Sequence, residues 1–369
     1  MSIFATYEHR ARRTGFGHQR RNIVRAAVYE SFKGPVTVRQ VPDPVVTDFG
    51  AVIEVKATGL CRSDWHGWHG HDKDIQLPHV PGHEFAGIIA AVGKSVTRWR
   101  VGDRVTMPFM GVCGACPQCS SGNQQLCDNQ FQPGFRHWGS FAELVAIDDA
   151  DANLVALPES IDFATAAGLG CRFATAFRAV AHQAKVEPGQ WVAVHGCGGV
   201  GLSAIMIAHA LGARVAAVDV ADDKLDLAKS LGAELVINGK AEPNVAPAIA
   251  DATGGGVSVS IDALGHPVTC RNSIESLAKR GKHIQIGLLA GEQATPAIPM
   301  GRVVLRELQL IGSYGLQPYR YQDMLSLITT GRLNPARLIG RHISLEDACA
   351  ALPRMDSFQE VGAAIIDRF

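Results

Sequence analysis

The sequence contains no uninterrupted apolar run long enough to cross a bilayer, since the best candidate, which begins at Val200, is broken by His209 and Arg214. It carries no net charge, because 35 basic side chains balance 35 acidic ones, so it lacks the basic footprint of a nucleic-acid-binding protein. The first 25 residues lack the apolar core of a secretory signal peptide. These absences predict a cytoplasmic protein whose partners include neither a membrane nor a nucleic acid.

Charge is unevenly distributed along the chain, although its sum is zero. The first 25 residues hold six arginines and a single acid, Glu8. We interpret residues 1–24 as a basic extension of a folded protein that begins at Arg25, although the arginine content also faintly resembles an organellar transit peptide. The hydrophobic content of 47% argues against disorder. The length of 369 residues is enough for two domains.

Two patterns of predicted secondary structure divide the chain. Residues 25–157 contain short runs of branched side chains bounded by Gly and Pro, which predict an irregular, mostly antiparallel β domain. From residue 191 onward apolar strands alternate with helices, which predicts parallel βαβ units in a doubly wound sheet. These strands are predicted at residues 191–195, 215–219, 235–237, 257–262 and 283–287. After Ser313 the pattern indicates helix, loop, helix and a last strand over 363–366, so the fold class is α/β.

A glycine-rich turn follows the strand at 191–195 and opens a helix, which is the setting that a dinucleotide-binding turn requires. Its residues are Gly196, Gly198, Gly199, Val200 and Gly201. Glycine permits the tight turn, the close approach of a pyrophosphate and the packing of helix on strand, while amides at the helix start face the phosphate. Asp219 ends the next strand, where a carboxylate accepts hydrogen bonds from the ribose of NAD and repels the 2′-phosphate of NADP. The pattern predicts an NAD site.

Nine cysteines without a predicted signal peptide point to metal or redox chemistry rather than to disulfides. Four of them lie within fifteen residues: Cys113, Cys116, Cys119 and Cys127. Four thiolates close every position around a tetrahedral ion, so we predict a structural zinc in a lobe over residues 111–128. An iron–sulfur cluster is the alternative, but its bacterial run has about three residues before the last cysteine and a proline after it. Here the gap is seven residues and Asp128 follows.

A second group of ligand-type residues is dispersed along the chain. Cys61 lies in Gly-Leu-Cys-Arg-Ser-Asp, His83 and Glu84 lie in Pro-Gly-His-Glu, and Cys171 lies in Gly-Leu-Gly-Cys-Arg. No spacing rule joins these residues, and a histidine is more often a surface or core residue than a ligand. The residues alone therefore leave a second metal site open.

Several fragments occur in an order that resembles the zinc-dependent alcohol dehydrogenases of the medium-chain dehydrogenase/reductase superfamily. The fragments are Gly59-Leu-Cys-Arg-Ser-Asp, Gly82-His-Glu, the four-cysteine lobe, Cys171 and Gly196-Cys-Gly-Gly-Val-Gly. The resemblance implies a mostly β, GroES-like catalytic domain in two pieces, 25–171 and 313–369, around a Rossmann NAD-binding domain over 172–312. It also implies a homotetramer, because only eleven residues separate Cys127 from Gly139, as in the shorter bacterial and yeast relatives rather than the dimeric animal ones.

The resemblance gives the dispersed residues a common role in metal binding. It implies that Cys61, His83 and Cys171 hold a catalytic zinc whose fourth position is open to water or substrate. Glu84 is then a neighbouring carboxylate able to bind the metal during exchange. Asp64 is implied to orient His83, since a ligating histidine needs an acceptor for its other ring nitrogen.

The resemblance also implies the residues that handle protons, cofactor and substrate. Ser63 and His66 match the hydroxyl and the imidazole that pass the alcohol proton to solvent. Further contacts to the cofactor are implied for Arg62, Thr175 and Lys224. Trp68 and Phe109 match positions in the substrate pocket, and two large rings beside the zinc predict a preference for short primary alcohols.

The implied reaction is hydride transfer between a small alcohol and NAD, with two zinc ions per chain. Zinc relatives that act on polyols, threonine or formaldehyde share the ligands and remain alternatives, whereas the zinc-free quinone and enoyl reductases lack both ligand sets. A non-catalytic nucleotide or redox sensor is the alternative from another class, and the presence of Cys61, Ser63 and His83 argues against it.

The chain departs from the family at two positions. Many relatives have a basic residue after a glycine that precedes the last strand, where this chain has Gly362 and Ala363, so one pyrophosphate contact is missing and Arg62 is expected to carry more of that role. Arg172 follows Cys171, where a small residue is common. Three cysteines match no ligand position and are interpreted as small apolar side chains: Cys197, Cys270 and Cys349.

Overall fold

The computed structural model describes residues 23–289, 291–357 and 361–369. The predicted basic extension therefore lies outside the described residues, apart from its last two positions. The first strand begins at Ile23, two residues before the predicted start of the fold at Arg25. Among the helices in the described part of the chain, none is both long enough and apolar enough to cross a membrane.

Short strands build the chain up to residue 157, as the bounded apolar runs predict. They are β1 (Ile23–Val28), β2 (Thr37–Pro42), β3 (Ala51–Leu60), β4 (Phe85–Val92), β5 (Arg104–Thr106), β6 (Leu144–Ile147) and β7 (Val155–Ala156). All pairings among them are antiparallel, and β3 lies between β4 and β6. The intervening helices are short: α1 (Arg62–His69), α2 (Pro117–Ser120), the 3₁₀ turn Gln124–Leu126 and α3 (Ala150–Asn153).

An irregular helical segment over residues 163–184 leads from the β part into the second sheet. It consists of α4 (Phe163–Ala167), a wide π-helical turn (Leu169–Phe173), α5 (Ala174–Phe177) and a second wide turn (Arg178–Ala184). The segment crosses the domain boundary predicted at 171/172. Wide turns of this kind commonly occur at functional sites, and the first one carries both Cys171 and Arg172.

The second sheet has six parallel strands: β8 (Trp191–His195), β9 (Arg214–Asp219), β10 (Ala233–Asn238), β11 (Val257–Asp262), β12 (Leu277–Gln285) and β13 (Gln309–Gly312). Their order is β10-β9-β8-β11-β12-β13, which is the doubly wound arrangement that binds dinucleotides where the order reverses. The connecting helices are α6 (Gly199–Ala210), α7 (Asp222–Ser230), α8 (Val245–Thr253), α9 (Pro267–Glu275), the 3₁₀ turn Gly291–Gln293 and α10 (Met300–Arg306). The predicted α/β class with a doubly wound sheet is confirmed.

The last part of the chain returns to the first sheet. Its elements are the 3₁₀ turn Pro318–Arg320, α11 (Tyr321–Thr329), the 3₁₀ turn Pro335–Leu338, β14 (Ile339–Ser344), α12 (Leu345–Ala351), the 3₁₀ turn Leu352–Ser357 and β15 (Ala363–Arg368). β15 pairs antiparallel with β3, and β14 pairs parallel with β15. The sequence analysis predicted β15 but missed β14, because this edge strand mixes Gly, Arg and His with only two isoleucines and so lacks an alternating pattern.

The ends of three strands position the site. Cys61 directly follows β3, and Glu84 directly precedes β4, its antiparallel neighbour. The Gly59 amide donates to the Glu84 carbonyl at 2.7 Å, which brings the two ligand-bearing loops together. The glycine-rich turn follows β8 and lies against Arg172, the residue after Cys171.

Candidate metal centre and cofactor cleft

The buried carboxylate of Asp64 organises the loops around Cys61 and His83. It accepts the Cys61 amide at 2.9 Å, the Gly82 amide at 3.0 Å and Nδ1 of His83 at 2.8 Å. The first of these bonds caps α1, whose N-cap residue is Cys61. Because Asp64 accepts from Nδ1, the His83 lone pair is on Nε2. One acid therefore fixes both a cysteine and the tautomer of a histidine.

Four potential ligand side chains converge beyond Asp64. The ligand atoms of Cys61, His83, Glu84 and Cys171 all lie within 4.8 Å of one another. His83 Nε2 is buried and has no hydrogen-bond partner among the described residues, an arrangement that costs stability unless another group binds there. A hydrogen bond from Cys171 outweighs burial and, with His83, holds the pKa of Cys61 well below its usual value, and a thiolate is the metal-binding form. Two sulfurs and one imidazole nitrogen fit a zinc ion.

Glu84 is paired with Arg172, a contact that the sequence analysis did not foresee. Nε of Arg172 donates to Oε1 of Glu84 at 3.1 Å, and Nη2 donates to Oε2 at 2.5 Å. The carboxylate is fully buried, while the guanidinium side chain is 14% exposed. Gly59 makes room for this pair, because a Cβ at Gly59 would lie 2.4 Å from Oε2 of Glu84.

The four-cysteine lobe gathers a second set of sulfur atoms. The ligand atoms of Cys113, Cys116, Cys119 and Cys127 lie within 4.8 Å of one another, and all nine cysteines of the chain are free thiols. Backbone amides of Ala115 and Cys116 lower the pKa of Cys113 to about 6. Amides of Asp128 and Asn129 donate to sulfurs of the lobe at 3.5 Å and 3.3 Å. Four thiols surrounded by amide donors fit a closed tetrahedral zinc site.

The glycine-rich turn has the geometry that each of its glycines was predicted to allow. Gly196 has a φ of +94°, which L residues with side chains rarely adopt. A Cβ on Gly201 would lie 1.8 Å from the Gly196 carbonyl oxygen, whereas one on Gly198 would meet nothing within 4 Å. Gly201 thus permits packing of α6 on β8, and Gly198 leaves open space beside the start of α6. Gly199 and Val200 form the first turn of that helix.

Asp219 fastens the turn to the next strand. Its Oδ2 accepts the Cys197 amide at 2.6 Å, and its Oδ1 accepts the amides of Val220 and Ala221 at 2.7 and 3.1 Å. The carboxylate lies at the end of β9, beside the turn, and lacks any cationic hydrogen-bond partner among the described contacts. Its negative charge therefore stays beside the glycine-rich turn.

Two other residues predicted to contact the cofactor lie on helices next to the turn. Thr175 is buried in α5, which packs against α6. Lys224 is half-buried in the first turn of α7, the helix that follows Asp219. Arg62 is held differently: its guanidinium donates to the Met355 carbonyl and lies 4.3 Å above the Trp65 ring.

The expected proton-relay residues lie along α1. Ser63 Oγ is 3.9 Å from Cys61 Sγ. His66 lies further along the helix with its side chain partly exposed, and its Nδ1 lies 2.9 Å from Nδ1 of His71. Partial burial, reinforced by the charges of Arg62 and His71, lowers the pKa of His66 to about 4. Its imidazole is therefore neutral at neutral pH. The sequence analysis did not assign a role to His71.

The two predicted pocket rings lie in different places. Phe109 lies beside the potential ligand side chains, with its ring centroid 6.4 Å from that of His83 and 5.5 Å from that of Tyr314. Trp68 packs in the apolar core of the β part, together with Tyr29 and other buried rings, and its indole N–H donates to the Gly34 carbonyl at 2.8 Å. This position gives no support to the predicted pocket role of Trp68, because both its ring and its polar atom are already used in the core. Tyr314, which the sequence analysis did not single out, is the ring that packs edge-on against Phe109.

Comparisons with known proteins agree with this geometry. Residues 48–159 match the family model "Alcohol dehydrogenase GroES-like domain", and residues 199–330 match "Zinc-binding dehydrogenase". An alcohol dehydrogenase of Geobacillus stearothermophilus is 35% identical over 313 residues, which cover 84% of this chain and 90% of the relative. The chain belongs to the zinc-dependent alcohol dehydrogenases of the medium-chain dehydrogenase/reductase superfamily.

Solved structures of other dehydrogenases share the architecture of this alcohol dehydrogenase family member. An NAD-dependent alcohol dehydrogenase is 29% identical with a TM-score of 0.85, covering 94% of this chain and 100% of that one. A zinc-binding dehydrogenase of Sinorhizobium meliloti bound to NADP is 28% identical with a TM-score of 0.84, covering 94% and 99%. The GroES-like match falls on the β part that carries α1 and the cysteine lobe, and the other match begins in the glycine-rich turn. The predicted family and fold are thus confirmed.

Proposed function

We propose that this alcohol dehydrogenase oxidises small primary alcohols with NAD and, in reverse, reduces the corresponding aldehydes. The observation that carries the proposal is the orphaned, buried Nε2 of His83 facing the two thiols of Cys61 and Cys171. These three side chains would hold a catalytic zinc, and the four-cysteine lobe would hold a structural one. The need for reduced thiols at both sites supports a cytoplasmic location.

The residues around the centre divide the chemistry between them. Zinc, when bound, is a Lewis acid that makes an alcohol hydroxyl more acidic and polarises the carbonyl in the reverse direction. Asp64 holds His83 in the tautomer that leaves Nε2 as ligand. Ser63 would accept the hydroxyl proton while passing its own proton on toward the cofactor ribose, and the neutral imidazole of His66 would take up that proton and release it to solvent. His71 is exposed and contacts His66.

Steady-state assays with ethanol, larger alcohols and both nicotinamide cofactors test the proposal directly. We expect NAD-dependent turnover of short primary alcohols that exceeds turnover of polyols, threonine and formaldehyde adducts. Faster turnover of one of those substrates would reassign the enzyme within the superfamily. Cofactor binding without turnover of any alcohol or aldehyde would favour a non-catalytic sensor.

Cofactor choice is expected to follow Asp219, since relatives of the same architecture include one described as NAD-dependent and one bound to NADP. In Asp219→Gly the ratio of kcat/KM for NAD to that for NADP should fall by at least about tenfold, because the variant loses a ribose acceptor and a charge that repels the 2′-phosphate. Thermal unfolding is the control, since Asp219 also accepts the Cys197 amide. Equal use of both cofactors by the unmodified enzyme would contradict the assignment.

Substrate size is expected to depend on Phe109 rather than on Trp68. Phe109→Ala should raise activity on branched or longer alcohols relative to ethanol, and the gain should be graded, since apolar pockets discriminate by about 1–3 kcal/mol per methylene. The matched variant Trp68→Ala should leave this ratio unchanged and instead lower the free energy of unfolding by about 3–5 kcal/mol, as for other buried tryptophans. A changed ratio in Trp68→Ala alone would support the pocket role predicted from the sequence.

We infer a homotetramer, and the exposed edge of the parallel sheet supports self-association. β13 is the last strand of that sheet, and beside it Val304 and Leu305 of α10 are 71% and 85% exposed. An uncovered strand edge with apolar neighbours favours pairing with a second copy. Light scattering should give four times the chain mass, and Leu305→Glu should lower it. A dimer mass for the unmodified protein would refute the tetramer.

A further inference from the structure

Arg172 lies between the potential metal ligands (Cys61, His83, Glu84 and Cys171) and the cleft beside the glycine-rich turn. On one side its Nε and Nη2 hold both oxygens of Glu84. On the other side its aliphatic part packs on the glycine-rich turn, since a Cβ on Gly199 would lie 2.4 Å from Cδ of Arg172. The side chain therefore lies between a possible zinc ligand and the start of α6.

The cleft beside Arg172 has little other charge. Among the described residues that line it, Arg172 is the only ionisable one. The lining includes Gly199 and Ser203 from α6 on one wall and Gly362 and Ala363 on the other. A pyrophosphate at the start of α6 would bring negative charge into this space. Ala363 offers no side-chain cation, and the Arg62 guanidinium is engaged with the Met355 carbonyl and the Trp65 ring.

Arginine can serve two anions at once because its guanidinium carries five N–H donors. The pair with Glu84 uses Nε and Nη2, and the two N–H groups of Nη1 are left to reach a second acceptor. Such charge-assisted hydrogen bonds are stronger than neutral ones. The geometry of Arg172 thus suits a bridge between the Glu84 carboxylate and a phosphate oxygen.

We propose that Arg172 binds the pyrophosphate of the dinucleotide while holding Glu84, so that cofactor binding and the position of Glu84 are coupled. The proposal rests on the proposed function, because it takes the dinucleotide as the occupant of the cleft. Arg172 is then a cofactor-binding residue that also acts as a positioning residue for Glu84. Linkage requires that each partner change the affinity of Arg172 for the other.

Binding titrations test the bridge without relying on turnover. Quenching of protein fluorescence gives the Kd of NADH, and competition gives those of ADP-ribose, which contains the pyrophosphate, and adenosine, which does not. Arg172→Gln should weaken the binding of NADH and ADP-ribose by about tenfold or more, as expected for loss of a hydrogen bond between charged groups. It should leave the Kd of adenosine unchanged. Arg172→Lys keeps the charge, so its Kd for NADH should lie between those of the unmodified enzyme and Arg172→Gln. Arg178→Gln, a half-buried arginine of the same helical segment that donates to Ser313, is the matched control and should bind NADH normally.

Glu84→Gln should change the affinity for NADH in the opposite direction. With the carboxylate neutral, Arg172 is no longer shared between two anions, so NADH should bind about fivefold more tightly or better, the lower end of typical coupling between sites. In the double variant with Arg172→Gln this gain should vanish. An unchanged Kd in Arg172→Gln, or an equal loss for adenosine, would overturn the bridge while leaving the proposed function intact. Failure of the unmodified enzyme to bind any nicotinamide dinucleotide would instead refute the proposed function.

Discussion

Cys171→Ser is expected to lower kcat for alcohol oxidation by on the order of 10³-fold or more while leaving the fold intact. The substitution removes one of two sulfur ligands, and the Lewis acidity of a catalytic metal contributes several kcal/mol to the transition state, at about 1.4 kcal/mol per tenfold in rate. The helical turn that carries Cys171 is packed through Leu169 and Phe173, both fully buried. Its conformation therefore does not depend on the thiol, and the thermal midpoint should change little.

The matched control is Cys270→Ser. Cys270 is buried in α9 and belongs to neither group of ligand atoms, so this variant should retain both zinc ions and full activity. Metal analysis should give two zincs per chain for the unmodified protein and one for Cys171→Ser. Full turnover in Cys171→Ser, or fewer than two zincs in the unmodified protein, would remove the basis of the catalytic assignment.

Local patterns carried most of the sequence-based prediction. The glycine-rich turn could be predicted because the strand, the glycines, the helix and Asp219 occupy one short stretch, and backbone geometry requires glycine at positions 196 and 201. The ends of β8 and β11 coincide with the predicted ones, since both strands are buried apolar runs with clear limits. Spacing likewise indicated the cysteine lobe, where all four sulfurs meet within fifteen residues.

Long-range contacts could not be predicted in the same way. Glu84 and Arg172 are 88 positions apart, and only the fold brings them together. The packing of Trp68 in the core could not be predicted for a different reason. Trp65 and Trp68 are three residues apart on α1 and both are buried, so they share the helix face that packs on the β core. A motif match gives the position of a residue along a helix, but it does not show which part of the protein the side chain packs against.

Cys116→Ser is expected to destabilise the protein without removing the catalytic centre. The lobe has almost no apolar core of its own, because its buried cluster consists of Val112 and the cysteines themselves. Metal binding in so small a unit is coupled to its folding. Loss of several kcal/mol should lower the thermal midpoint by on the order of 10 °C, at about 2–4 °C per kcal/mol for domains of this size.

Hydrogen exchange distinguishes local destabilisation of the cysteine lobe from destabilisation of the whole protein. Residues 111–128 should lose protection, while the strands around Cys61 and His83 should keep theirs, because Asp64 holds those loops independently of the lobe. Zinc content should fall from two to one, and turnover measured well below the new midpoint should remain within about tenfold of the unmodified enzyme, in contrast to Cys171→Ser. A visible absorption band and iron in the unmodified protein would instead identify the lobe as an iron–sulfur site. Retention of both zincs and of the thermal midpoint in Cys116→Ser would mean that the lobe folds without its metal.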